Sequence, residues 1–343
     1  MTLTLRSPPA LLIPPDLPDD ARPTPGREMH YEGAVFGTTW SLTVLRHAES
    51  DPVNDAAFLA QLVRACEQAL DLIDAQMSLW RAGSDIVQFN ALADGESMHL
   101  PDPFAIVLAK ACDLARLTGG AFDPALYEAV EQWGFGALDH RDPVARGLAY
   151  CARHGSRPPR PIEFSGGQAT KREGLALDCN GIAKGYAVDL VCDLVRSHPD
   201  TASCLVEIGG ELKGFGTRGD AMPFWIDISA QGDTGHPTHR AALFGWACAT
   251  SGEAERCHRT HEGVFAHILD PVTRAPAQGD LAGATVFDRE CARADALATA
   301  LVVMGAEDAL AFADANDIAC ILMRRGACEP VLSLAMKRWI DDD

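Results

Sequence analysis

Apolar positions along the chain repeat with two different periods. Residues 37–46 (GTTWSLTVLR) alternate and are rich in Thr, Val and Leu, which predicts a strand. Over 55–73 the period lengthens, and Phe58, Leu62, Cys66, Ala69 and Ile73 fall on one helical stripe. A second helix is predicted over 104–117 and a third after Gly181, where Val188, Val191 and Val195 are spaced for burial. Strand-like runs then occupy 175–178, 203–208, 224–229, 241–247, 264–269 and 284–287. Helices over 294–304 and 307–315 precede strands at 318–323 and 331–334. Helices flanking hairpin-like strands, without regular βαβ alternation and without a repeat of fixed period, predict an α+β fold.

This pattern starts late. Pro8, Pro9, Pro14, Pro15, Pro18, Pro23 and Pro25 punctuate the first 28 residues, so 1–28 is expected to be an extended, disordered arm ahead of a folded body over 29–343. Inside that body, 140–173 turns rich in Arg, Pro and Gly (GSRPPRP) and reads as an interior linker or long loop, the place for any subdivision. The apolar run at 10–13 is closed by Pro14 and Pro15, too short for a secretion signal. No stretch nears the ~20 apolar residues of a membrane-spanning helix. Both features lead to the expectation of a cytoplasmic protein without membrane insertion.

Charge narrows the ligands. With 48 Asp and Glu against 29 Lys and Arg, the 343-residue chain carries a formal net charge of −19. Nucleic acid and anionic membrane surfaces are excluded as partners, since both draw on clustered basic residues. A phosphorylated ligand would need help from a cation, most simply a divalent one. The 11 cysteines are scattered singly with no CxxC pair, which implies neither a disulfide framework nor a zinc site and suits a reducing compartment.

Several motifs carry chemistry and several only look as if they do. GFGTRG (214–219) matches the dinucleotide pattern GxGxxG, but Pro223 and the strand-like FWIDIS follow it where a helix is required, so it reads as a turn. The HxxH pairs His236/His239 and His258/His261 lack the HExxH pattern and read as solvated histidines. In TGGAFD (118–123), two glycines after a helix free the backbone for close approach, and Asp123 stands on the turn; a C-cap followed by an N-cap aspartate is the alternative. In LDCNGIAKGYAVD (177–189), a strand end, the Gly181 loop and a helix N-terminus carrying Lys184 form a ready anion or metal-phosphate site with Asp178 as acceptor.

Two further segments complete the set. LVEIGGELKGFG (205–216) runs a strand into Gly209 and Gly210 with Glu207 pointing outward, a structural turn. ADALATALVVMG (294–305) is an apolar helix interrupted by Asp295 and Thr299, four apart and therefore on one face. A buried unpaired carboxylate is costly there. Hard oxygen ligands suit Mg²⁺, with Asp295 as a simple N-cap the alternative. His267, in HILDPVTRAP, would alternate with Phe265 and Leu269 on one strand face.

Taken in order, FGTTW (36–40), MSLWRAGSDIVQFN (77–90), TGGAFD, WGFG (133–136), LDCNGIAKGYAVD, VEIGGELKGFG, ATSG (249–252), HILDPVTRAP and ADALATALVVMG resemble the ApbE-type flavin transferases, the FAD:protein FMN transferases. The resemblance implies a T-fold-like α+β architecture around a cleft that holds FAD and Mg²⁺. It implies transfer of FMN from FAD to a Thr or Ser hydroxyl of a target flavoprotein, with release of AMP. By the same resemblance Phe36 and Trp80 would lie beside the flavin, and Ala121, Phe122, Asp123 and Leu269 would line the FAD site. Asp178 and Lys184 would bind its polar parts. The Gly181 carbonyl, Asp295 and Thr299 would ligate Mg²⁺, and His267 would be the base at the reacting phosphate. Phe36 stands where the family usually has Met, Trp80 where it has Tyr, and Arg274 where a Gly follows DPxT. An FAD pyrophosphatase and a non-catalytic flavin-binding protein are the competing readings.

Overall fold

The computed structural model describes residues 9–340 apart from 19–21, 139, 230–236, 254–255, 262 and 328. The chain runs β1 (Ala10–Leu12), β2 (Gly26–Val35), β3 (Thr38–His47), α1 (Asp55–Met77), α2 (Asp85–Asn90), β4 (Ser97–His99) and α3 (Asp102–Leu117). It continues through α4 (Tyr127–Gln132), α5 (Pro143–His154), β5 (Glu163–Ser165), β6 (Gln168–Thr170), α6 (Asn180–Ser197), β7 (Thr201–Ile208) and β8 (Glu211–Phe215). Then come β9 (Phe224–Ser229), β10 (Pro237–Leu243), β11 (Trp246–Gly252), β12 (Cys257–Thr260), β13 (Gly263–Ala266) and β14 (Leu281–Asp288). Last are α7 (Cys291–Met304), α8 (Ala306–Ala315), β15 (Ala319–Arg324), β16 (Val331–Leu332) and α9 (Leu334–Lys337). This is the α+β arrangement that the pattern predicts.

Among the described residues an eight-stranded sheet, in the order β16-β15-β14-β11-β8-β7-β3-β2, forms the spine. All its ladders are antiparallel. Both faces are covered. Cys320 and Leu322 of β15 point into the core shared with α1, α3, α6 and α7, while Ala319, Ile321 and Met323 point into a second core with Leu12, Ile226, Leu243 and Trp339. Period-2 alternation between two buried faces explains why β14 and β15 read as unbroken apolar runs. The second face is closed by the sheet β1-β10-β9 together with α9.

Several expectations change. The segment ahead of residue 29 is not all arm: Ala10–Leu12 pairs in parallel with β10, Leu12 is fully buried, and β2 starts at Gly26. A strand short enough to escape a periodicity test is recruited by tertiary pairing. The 140–173 segment contains α5 and the β5–β6 hairpin. Residues 175–178 form no strand, because Leu175 and Leu177 are buried by packing into the main core without a ladder partner. The run 241–247 is broken at Phe244–Gly245 into β10 and β11, with Gly245 at φ +66°. GFGTRG leads into no helix, and β9 follows it as expected.

Candidate functional site

Helices α6 and α7 cross at glycine. A Cβ on Gly185 would collide with the Cys291 carbonyl and Ala292, so only Gly lets the two backbones meet there. The contact brings the Gly185 N–H to Asp295 Oδ2 at 3.0 Å. In a regular helix that amide serves the carbonyl four residues back, here Gly181, which is therefore no longer its sole acceptor. Asp295 is only 3% exposed and lies within α7, which begins at Cys291; it is not the N-cap. One turn on, Thr299 Oγ1 lies 3.0 Å from Ser251 Oγ at the end of β11. A Cβ on Gly181 would sit 3.6 Å from Thr299 Oγ1 and 3.2 Å from the Phe122 ring, so Gly181, Thr299 and Phe122 meet at one point.

Loops supply the rest. The β12–β13 hairpin is extended by one pair at its open end, where the His267 N–H donates to the Arg256 carbonyl at 3.0 Å. Nδ1 of His267 lies 3.2 Å from the same oxygen. A carbonyl only accepts, so Nδ1 carries the proton and Nε2 is the acceptor nitrogen. Asp178 Oδ1 accepts from the Asn180 N–H at 2.8 Å, and its own amide donates to the Pro124 carbonyl at 2.8 Å, which ties the two loops together. Asp123 Oδ1 accepts from the Ala125 N–H at 2.9 Å in an Asx turn, and α4 has Leu126 as its N-cap, so the aspartate caps no helix.

Charges cluster around this junction. Burial pushes the Asp123 and Asp178 carboxyls each up to about 6. Asp178 is raised further by nearby Glu131 and drawn back by Arg256. Burial raises Asp295, against the pull of the Lys184 ammonium. It brings His267 down to about 4, helped by Arg256 and Lys184, so the imidazole is neutral at neutral pH. Lys184, felt by both Asp295 and His267, is ion-paired with the buried Glu211. Oxygen donors, a neutral imidazole and a lysine thus face one region.

A family model described as the ApbE family matches residues 36–322. The chain belongs to the ApbE family. It is similar to the FAD:protein FMN transferase of Vibrio cholerae serotype O1, with 30% identity over 87% of this chain and 88% of that relative. The Treponema pallidum protein of the same name is 30% identical over 74% of each chain. Among solved structures, the Pseudomonas stutzeri flavinyl transferase ApbE in its apo form superposes with a TM-score of 0.77 at 31% identity, over 92% of this chain and 99% of that one.

Within this ApbE fold, Gly181, Asp295, Thr299 and Phe122 converge, with Lys184 and His267 within electrostatic reach. Ala121 and Asp123 follow Thr118, whose hydroxyl accepts from the Phe122 N–H at 3.1 Å. Leu269 is placed differently from the expectation: β13 stops at Ala266, and Leu269 lies in an isolated bridge with Pro276, its side chain packed with Trp133 and Phe135. His267 and Leu269 therefore do not share a strand face with Phe265, because the chain bends at His267. Phe36 occupies the β2–β3 turn at φ +52° and packs against the main core. Trp80, 51% exposed, follows α1 and presents an open aromatic face.

Three residues escaped the sequence reading. Ser251 belongs to the ATSG segment, which carried no assigned role. Glu211, rather than Glu207, is the buried carboxylate of its segment; Glu207 merely accepts from the Gly210 N–H in the turn. Glu131 accepts from the Ala137 and Leu138 amides at 2.7 and 3.1 Å and so orders the loop after Trp133. Of the HxxH histidines, His258 stacks on Phe135 and contacts the Trp133 carbonyl, while His236 lies outside the described residues. No group of three or more His, Cys, Asp or Glu that could hold a metal ion occurs among the described residues.

Proposed function

We propose that this chain is an Mg²⁺-dependent FAD:protein FMN transferase that acts on a Thr or Ser hydroxyl of a target flavoprotein and releases AMP. The observation that supports the reading is the α6–α7 crossing, where Asp295 Oδ2 accepts from the Gly185 N–H at 3.0 Å and Gly181 lies beside the Thr299 hydroxyl. An all-oxygen set of this kind fits Mg²⁺, which takes few protein ligands and fills its octahedron with phosphate oxygens and water. Asp295, Thr299 and the Gly181 carbonyl would hold it, and Ser251 would orient the Thr299 hydroxyl. When bound, Mg²⁺ would neutralise charge on the diphosphate and make AMP a better leaving group.

The residues of the chain do the remaining work. Nε2 of His267, with Nδ1–H fixed on the Arg256 carbonyl, takes the proton of the acceptor hydroxyl. The hydroxyl oxygen attacks the FMN phosphorus, the bond to the bridging oxygen breaks, and AMP leaves with the electron pair. Lys184 adds positive charge near this exchange, held in place by Glu211. Phe122, with Phe36 and Trp80, offers apolar surface for the flavin ring. Among the described residues no helix is long and apolar enough to cross a membrane.

The test is to incubate the protein with FAD, Mg²⁺ and candidate flavoproteins and to weigh the acceptor. An FMN-sized mass gain on a Thr or Ser is expected. FMN and AMP released at the same rate with and without acceptor, and no adduct, would instead establish a pyrophosphatase.

A further inference from the structure

One guanidinium near the site has no task in this chemistry. Arg274 lies at φ +58°, in the left-handed region that costs a non-glycine residue roughly 1–2 kcal/mol. Its backbone is clamped there. The Arg274 N–H donates to the Asp270 carbonyl at 2.7 Å, and its own carbonyl accepts from Trp133 Nε1 at 2.9 Å and Cys151 Sγ at 3.4 Å. These bonds set the direction in which the side chain leaves the loop.

At the far end of that side chain, Nη1 is buried and has no hydrogen-bond partner among the described residues. A buried charged donor left unpaired is unfavourable. Its charge acts on Asp123, on the Tyr150 phenol and on the Cys151 thiol, so it lies beside the loop that follows α3. Lys184, a second cation at this junction, is already held by Glu211. A strained backbone and an unpaired donor on the side chain both make sense if an anionic oxygen of a bound ligand meets Nη1. In FAD, the substrate read for this site, only the diphosphate carries such oxygens.

We propose that Arg274 is an FAD-binding residue of this chain, whose Nη1 donates to a phosphate oxygen of the FAD diphosphate. The inference rests on the FAD reading of the site. It assigns this chain a cation at the position where the DPxT pattern described above has Gly, so the backbone strain is the cost of a charge contact.

The full chain is titrated with FAD, without acceptor, by quenching of flavin fluorescence at several salt concentrations. Arg274→Gly, which removes the charge and relieves the backbone, should weaken FAD binding by about 10- to 100-fold, as expected for loss of one charge-assisted hydrogen bond. Its salt dependence should be flatter than that of the wild type, and its thermal midpoint equal or higher. Arg274→Gln, which keeps the side-chain stem, should show the same loss, and Arg274→Lys a smaller one. Wild-type protein that binds FAD while Arg274→Gly and Arg274→Gln match its affinity and salt dependence would overturn this inference alone. Wild-type protein that does not bind FAD would overturn the transferase reading, and this inference with it.

Discussion

Asp295 and Thr299 project from the interior of α7 into its crossing with α6, whereas His267 and Arg274 stand on a stretch with little repeating structure, between β13 and β14. The helical pair is positioned by packing. Ala294, Ala296, Ala298 and Ala300 of α7 are all fully buried, so shifting Asp295 by an ångström means repacking the core. The loop pair is positioned by a few hydrogen bonds to backbone carbonyls and by a strained φ. Damage to the helical half should therefore reach fold and chemistry together, and damage to the loop half should reach chemistry alone.

The largest expected effect tests the helical half at its centre. Asp295→Ala removes the one carboxylate of the oxygen set. Charge stabilisation by a bound metal is worth several kcal/mol, so transfer of FMN should fall by roughly a thousandfold at 1.36 kcal/mol per decade. Chelation of divalent ions from the wild type should have the same consequence. Mass spectrometry of the acceptor reads both, and unchanged labelling in either case would remove the metal from the mechanism.

Next comes the loop half. His267→Gln keeps a hydrogen bond to Arg256 within reach but cannot take a proton, and should slow transfer by about 10² to 10⁴-fold. A thermal melt should show little change, in contrast with any variant at the helix crossing. If FAD affinity fell as much as the rate, His267 would be a binding group and not a base.

The dependence on pH separates the loop carboxyls from the imidazole by sign. Asp123 and Asp178 are raised to about 6, so the fold binds their protons more tightly than the unfolded chain does. Their contribution to stability is present at low pH and is lost as pH rises through about 6. His267, depressed to about 4, behaves oppositely: its contribution is present above about 6.5, the ordinary imidazole value, and is lost as pH falls through about 4. In a pH–rate profile, the acid limb should fall near pH 6 and belong to the carboxyls. The residual rate of His267→Gln should keep that limb in place; a limb that vanished with the histidine would reassign it.

The smallest effect is the sharpest probe of the contrast. Gly185→Ala changes no functional group, yet its methyl would meet the Cys291 carbonyl and Ala292, and overpacking of this kind costs about 1–3 kcal/mol. Chemical denaturation should show that loss. Transfer should fall as well, because α7 carries Asp295. A destabilised variant with wild-type transfer would mean that the crossing serves the fold only.

Legibility follows the same division. Helices α1, α3, α6, α7 and α8 were visible because their apolar spacing is local, and β3, β7, β9 and β14 because alternation or continuous apolarity is local too. Of the missed elements, β1 buries only Leu12 and α5 only Val144 and Gly147, too little for a periodic signal. In the site, Asp295 and Thr299 could be paired on paper because residues four apart share a helical face. His267 stood out by its segment, but its bend and its bond to Arg256 did not.

The sequence by itself determined the α+β class, the order of the main helices α1, α3, α6, α7 and α8, and the spacing that sets Asp295 and Thr299 on one helical face. Each of these depends on composition or on spacing within one turn or one strand. Only the tertiary structure decided what faces that pair. Ser251 meets Thr299 across 48 positions, the Gly185 amide meets Asp295 across 110, and Trp133 clamps the Arg274 backbone across 141. Strand pairing and helix crossing create those contacts, and no local period encodes which distant residue will arrive. The opening pattern of two periods thus places the parts of this protein, and the junction of α6, α7, β11 and the loop after β13 makes a site of them.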